Sequence, residues 1–513
     1  MTTTEQQPDT APGGGPAPMT HRQIQVVLIG LMLGLFLAAL DQTIVATALP
    51  TIVGELGGLN HLSWVVTAYL VTATASTPLW GKISDLYGRK GFYLAAITIF
   101  LVASMLAGLS QEMWQLIVTR GLQGIGGGGL IALTFAIVGD MIPPRQRGRY
   151  QGYFGAVFGL SSIVGPLLGG FFVDNLSWRW IFYINLPVGL VALVVTSSVL
   201  HVRQDKRQHS IDYAGAALLV AGVVSTLLAL VRGNELGWTH PNILTFGSTG
   251  IALLVVFVWW ESRAVEPILP LRLFRIPVFT VTSVIGFVIG FAMFGAIVFI
   301  PLYLQVVDGV SPTASGLLML PLMFGVITTS MLSGRLITRT GRYKLFPIIG
   351  TSVTTVGMIL LATLDVDTPS WQTGLYMLVT GLGIGCVMQV LVIAVQNAVS
   401  PADMGTATSS SQFFRSLGGT FGTAVFGAIF NNRFAHYLAM ELPAGARGAP
   451  GADDGSLLSS PEKIKELPAA LKTPLLEAFT SALQDVFLAA VPLLLVGVVL
   501  SFMLQELKLR AHH

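Results

Sequence analysis

The decapeptide GKISDLYGRK, Gly81 to Lys90, lies between two apolar runs long enough to cross a bilayer, and a degenerate copy, GRLITRTGRYK, begins at Gly334. A short cationic connector between spans belongs on the cytoplasmic side of a membrane. Its return after 253 residues implies two related halves, as in many secondary transporters. The chain therefore reads as an integral membrane transporter.

Composition leads to the same class. With 53% hydrophobic residues, 10% charged residues and a mean hydropathy of +0.73, a soluble globule would have too little polar surface. Apolar runs of about 17 to 27 residues predict fourteen spans. These are expected to be helices, because backbone groups in hydrocarbon need internal partners and no strand-length alternation runs through the chain. Shifting the first span start, Ile24, by the repeat offset reaches Pro277, where the ninth span begins. Spans one to six and nine to fourteen are thus the repeats, and spans seven and eight an inserted pair. The expected organisation is a tail over 1–23, a six-helix bundle over 24–200, the inserted pair with its linkers over 201–276, a second six-helix bundle over 277–504 containing an outer loop at 431–483, and a tail over 505–513.

Charge in the short loops orients the chain. Lys82, Arg89, Lys90, Arg145, Arg147, Arg149, Arg203, Lys206, Arg207, Arg263, Arg272, Arg275, Arg335, Arg339, Arg342 and Lys344 fall on one side, against essentially Arg179 alone on the other. The positive-inside rule then puts both termini in the cytoplasm. A net charge of +3 spread over separate loops speaks for membrane anchoring rather than a nucleic-acid partner. The first residues, rich in Thr, Pro and Gly, lack a signal-peptide pattern and read as a disordered tail. Cys386 is the single cysteine, which excludes an intrachain disulfide, and no histidine falls inside a span. With no clustered ligands, neither a metal nor a cofactor is expected.

Few residues inside the spans can do chemistry. Asp41 is the only carboxylate well within one, and a charge near the bilayer centre costs about 2.5–3.5 kcal/mol on insertion scales, so it calls for a partner or a task. Arg120 is the expected partner; Arg232 and Arg415 are the other intramembrane cations singled out. Asp41 can be read as a proton carrier or as half of a structural ion pair. Small-residue faces occur at Gly165, Pro166, Gly169 and Gly170, matched by Gly418, Gly419, Gly422 and Thr423 at the repeat offset, and Gly155 to Gly159 adds another small step. Gly124, Gly126 and Gly129 satisfy G-x-G-x-x-G, yet no strand precedes them, so the run reads as a close helix contact. No Walker sequence is present, which leaves an ion or substrate gradient as the energy source. A cavity between the halves is expected to be lined by Phe158, Phe291, Phe294 and Tyr303, with Gln389, Gln396, Asn397, Gln412 and Arg415, a lining suited to bulky lipophilic ligands.

LDQTIVATALP from Leu40, GKISDLYGRKG from Gly81, LIVTRGLQGIGGG from Leu116, GLSSIVGPLLGG from Gly159, WRWIFYINLPVG from Trp178 and SPTASGLLMLP from Ser311 together carry a resemblance. Over nearly its whole length the chain resembles the fourteen-span drug:proton antiporter branch of the major facilitator superfamily. The resemblance implies alternating access by two rocking six-helix bundles and exchange of an inward proton for an outward substrate in the cytoplasmic membrane. It implies that Asp41 is the protonation or cation-recognition site with Arg120 as coupling partner. Gly165, Pro166, Gly169 and Gly170 would form the antiporter motif. Gly81, Asp85, Gly88, Arg89 and Lys90 would form a latch that steadies the outward-open state against a neighbouring helix start. Thr338 stands where the second half would carry the equivalent of Asp85, so a latch there must differ. The additional acids of relatives that export dications are not evident, which argues against such cargo. The expected activity is proton-driven export of lipophilic compounds, cationic or neutral, by a monomer. Export of one endogenous lipid or natural product by the same machinery is the alternative. A channel or membrane-embedded enzyme is disfavoured, because no filter-like loop, metal cluster or catalytic dyad is visible in the spans.

Overall fold

Prolines set the starts of many helices, as their fixed φ and missing N–H allow in a first turn. A computed structural model describes residues 21–56, 62–199, 212–441 and 469–509, and the elements of these segments are helical. The first half comprises α1 (His21–Leu56), α2 (Leu62–Tyr87), α3 (Arg89–Gly108), α4 (Met113–Met141), α5 (Pro144–Asn175), α6 (Trp180–Tyr183) and α7 (Asn185–Val199). Next come α8 (Tyr213–Leu236) and α9 (Pro241–Glu261). The second half comprises α10 (Pro277–Val306), α11 (Pro312–Leu318), α12 (Leu320–Thr340), α13 (Leu345–Leu361), α14 (Ser370–Ala398), α15 (Met404–Glu441) and α16 (Ala469–Met503). Among the described residues, twelve helices are long and apolar enough to cross a membrane. Of the fourteen expected spans, the second and eleventh are missing from that set. The second falls on α2, whose Thr67, Thr72, Thr74, Ser76 and Thr77 dilute its hydropathy; the eleventh falls on α13, an apolar helix shorter than 18 residues.

Two cores organise the halves. Leu31 and Leu35 of α1, Phe100 of α3, Leu130 and Phe135 of α4 and Phe154 of α5 pack in one. Ile289 and Phe299 of α10, Met358 of α13, Ile384 of α14, Phe426 of α15 and Phe479 of α16 pack in the other. Gly88 after α2 and Gly341 after α12, which occupy matching places in the two copies of the opening decapeptide, both have positive φ, 99° and 70°. A side chain would strain either turn. The inserted α8 and α9 pack on each other, and Leu219, Val223 and Leu227 of α8 with Phe257 of α9 pack against Val71 and Ala75 of α2 and Phe413 of α15. The pair thus lies on a seam between the halves.

Three element boundaries differ from expectation. The sixth span, expected as one helix over 180–200, is interrupted between α6 and α7, two residues before Pro187, which has no N–H to donate. The tenth, expected at 313–333, divides into α11 and α12 just before Pro321 for the same reason. The outer segment expected at 431–483 is largely helical where described. Helix α15 runs on to Glu441, α16 starts at Ala469, and the two extensions pack Phe430 and Phe434 against Phe479, with Arg433 paired to Asp485 at 3.1 Å. The loop cations Arg203, Lys206 and Arg207 lie outside the described residues.

Candidate functional site

Asp41 sits mid-way along α1 with its side chain turned into the first bundle, fully buried. Arg120 of α4, 1% exposed, donates from Nη1 to Asp41 Oδ2 at 2.5 Å and to Gln123 Oε1 at 2.7 Å. Gln123 Nε2 donates to Asp41 Oδ1 at 2.8 Å, and Asn185 Nδ2, from the start of α7, donates to the same oxygen at 3.1 Å. Arg120 Nε donates to the Val65 carbonyl at 3.2 Å, and its guanidinium lies 4.5 Å from the Tyr69 ring centroid. Asn185 also bonds Ser104 Oγ at 3.0 Å, whose hydroxyl reaches the Phe182 carbonyl at 2.9 Å. The carboxylate is thus held by one guanidinium and two amides from two helices, α4 and α7, so a buried charge is met by charge-assisted hydrogen bonds. The expected Asp41–Arg120 contact is present in the geometry. Gln123, Asn185, Ser104 and Tyr69 were not singled out from sequence, although Gln123 and Asn185 fall inside quoted motifs.

The opening decapeptide meets the other bundle. Asp85 accepts from the Gly405 N–H at 3.1 Å, the Thr406 N–H at 2.6 Å and Thr406 Oγ1 at 2.7 Å, all at the first turn of α15. That turn presents unpaired N–H groups and the positive end of the helix dipole, which a carboxylate complements. Arg89 pairs with Asp85, donates from Nε to Asp140 at 2.7 Å and from Nη1 to Ser84 Oγ at 2.6 Å. Gly81 is required by closeness: a Cβ there would overlap Ser409 and the Gly405 carbonyl. Lys90 is half-buried and contributes to none of the ion pairs found among the described residues. The second copy of the decapeptide is different. Thr338 bonds only its own helix, at the Gly334 carbonyl, and Gly334 itself lies against the backbone of Gly148 at the start of α5.

The small residues of α5 serve two faces. Gly165 and Gly169 receive Thr43, Ile44 and Thr47 of α1, inside the first bundle. Gly148, Gly152, Gly155 and Gly159 instead face Gly334, Met331, Ser330 and Ile327 of α12, across the seam. A Cβ added to Gly316 of α11 would stand 3.3 Å from Pro166, and Gly170 is half-buried on α5.

Between the bundles lies a cavity of about 180 Å³. Phe158, Phe294, Gln389, Gln412 and Arg415 line it as expected, together with Gln42, Thr43, Thr74, Ser161 and Ser162. Four other expected members lie elsewhere. Phe291 packs on Phe426 and Phe421 in the second core, and Tyr303 is buried with its hydroxyl on the Asp365 carbonyl at 2.7 Å. Gln396 donates to the Phe135 carbonyl at 2.9 Å, and Asn397 to the Lys508 carbonyl at 3.3 Å. Their helices are apolar nearly all round, so periodicity gave no face. Asp41 does not line the cavity, but Gln42, the next residue, does.

The profile of the Major Facilitator Superfamily matches residues 31–423. The chain belongs to the major facilitator superfamily. Members of this superfamily are transporters, not enzymes. Among its relatives, the multidrug transporter protein MdtP of Bacillus subtilis is 40% identical over 94% of this chain and 93% of its own length. The uncharacterized MFS-type transporter Rv1877 of Mycobacterium tuberculosis is 42% identical over 99% of this chain and 73% of its own. The crystal structure of the proton:xylose symporter XylE shares the fold, with a TM-score of 0.62 at 12% identity over 96% of this chain and 98% of that one.

Proposed function

We propose that this superfamily member is a proton-coupled exporter that moves lipophilic compounds across the cytoplasmic membrane by alternating access. The observation that carries the reading is the fully buried Asp41 carboxylate, tied to Arg120, with the next residue, Gln42, in the wall of the central cavity. Proton binding would cancel the charge that holds Arg120, and release would restore it. The pair thus has two states that differ in how firmly α1, α4 and α7 are tied together, with the cavity wall one residue away. At about 2.3 kcal/mol per charge per 100 mV, one entering proton sustains roughly a fiftyfold gradient of a neutral cargo for each 100 mV.

The fourteen-span topology, the division into bundles at 24–200 and 277–504 around an inserted pair, cytoplasmic termini and a monomeric carrier belong to the same proposal. With the cationic loops inside, the contact of Asp85 with the start of α15 closes the cytoplasmic end, and the described conformation faces outward. Gly81, Asp85, Gly88, Arg89 and Lys90 act as the latch, and Gly165, Pro166, Gly169 and Gly170 as the antiporter motif. A second reading, one endogenous product as cargo, is favoured by the polar Gln389, Gln412 and Arg415 lining the cavity. In proteoliposomes carrying a pH-sensitive dye, wild-type protein is expected to move protons when cargo is added, and Asp41→Asn to move cargo without them or not at all. Undiminished coupled movement in Asp41→Asn would overturn the proposal.

A further inference from the structure

We infer that the central cavity takes a cargo with an acidic head and an apolar body, its anion seated on Arg415; this rests on the exporter reading above and names its substrate class. Arg415 projects from α15 into the cavity, at the level where Gly290 of α10 abuts the Arg415 carbonyl. Among the described residues its guanidinium has no ion-pair or hydrogen-bond partner, and no Asp or Glu lines the cavity. Two neighbouring amides are equally unoccupied: Gln389, 1% exposed, and Gln412, 2% exposed, have neither the oxygen nor the nitrogen of their side chains bonded. Buried polar groups are ordinarily satisfied, so three lining one cavity mark a place where a ligand completes the bonding.

The sign of the cavity decides what that ligand is. A cationic cargo would face Arg415 with no carboxylate to receive it, since the oxygens of Asp41 are already held by Arg120, Gln123 and Asn185 behind the wall. A carboxylate or phosphate instead gains the guanidinium's planar fork and the two amide donors. The rest of the lining, with Phe158, Phe294, Met293, Ile297, Leu70 and Ile131, suits an apolar body. This cargo differs from the cationic or neutral compounds expected from the sequence. Outward movement of an anion is also assisted by an inside-negative potential, in the same sense as inward movement of a proton.

A matched naphthalene series tests this by equilibrium binding to the purified full chain in nanodiscs: naphthylacetate, naphthyl phosphate, naphthylethanol and naphthylmethylammonium. Wild type is expected to bind at least one anion about tenfold or more tighter than the alcohol and the ammonium, the scale of a lost charged hydrogen bond. The carboxylate and phosphate arms tell which head is used. Arg415→Gln is expected to erase the anion advantage, weakening the anions about tenfold or more relative to the alcohol, and Arg415→Lys to restore part of it. Equal binding of alcohol and anions by wild type, tighter binding of the ammonium, or an equal loss of all four probes in Arg415→Gln would overturn the inference. Binding at equilibrium requires no proton movement, so failure of proton coupling in the Asp41→Asn experiment leaves this result standing, and the reverse holds too.

Discussion

Single residues in this chain are held by contacts that differ in how visible they are beforehand. Asp41 and Arg120 stand out in the sequence because an ion in hydrocarbon is costly wherever it sits. Gln123 and Asn185 complete the same site, yet a neutral amide in a span carries no comparable signal, and only the fold brings α7 against α1. The outer end of the first bundle has a clamp with a pH signature. Glu55 accepts from Arg179 and from Trp178 Nε1, the latter at 2.7 Å, and the hydrogen bond from Arg179 in particular holds its carboxyl below the ordinary glutamate range. Because the folded value is depressed, the stabilisation is complete above the unfolded value of about 4.3 and disappears as pH falls through the folded one. Thermal unfolding of wild type and Glu55→Gln in detergent is therefore expected to differ at pH 7 and to converge as the pH drops below about 4. A gap that widens on acidification would refute the clamp.

At the level of elements, α5 and α12 cross with almost no side chain between them. Gly334 lies against the Gly148 carbonyl, so the Cβ of Gly334→Ala would meet backbone, which has no rotamer to move aside. The crossing is expected to open at this end. Pulsed EPR between spin labels at the exposed positions Gln146 and Arg339 should show a longer, broader distance distribution in Gly334→Ala than in the otherwise wild-type chain. Identical distributions would mean the seam does not bear on that contact. The glycine-rich character of α5 was legible in the sequence; which glycines face α1 and which face α12 was not, since both sets lie on one helix and only the packing assigns the faces. Helix identity was legible throughout, whereas the breaks before Pro187 and Pro321 and the long run of α15 to Glu441 were not, because hydropathy reports bilayer crossing and not where a helix stops.

For the molecule as a whole, the two copies of the opening decapeptide do unequal work. Asp85 bridges the bundles through three hydrogen bonds to α15, whereas Thr338 reaches only its own helix. One closed form is thus fastened by charge and its mirror form is not. Asp85→Asn keeps one acceptor but loses the charge and turns an NH₂ toward N–H donors. At about 1.5–3 kcal/mol for hydrogen bonds to a charged group, the population opened at this end should rise roughly tenfold or more. Ser409, buried against Gly81, reports it: in a Cys386→Ser background, the rate at which a water-soluble maleimide labels Ser409→Cys should rise accordingly. An unchanged rate would show that Asp85 does not set the balance. The inserted α8 and α9 add a second inequality, this one in the plane of the bilayer. They cover the join of α2 with α15, while at the join of α5 with α12 Leu160, Leu167, Leu320 and Leu332 are exposed. Acyl chains beside the protein thus touch the α5–α12 join directly, whereas α8 and α9 shutter the α2–α15 join from them.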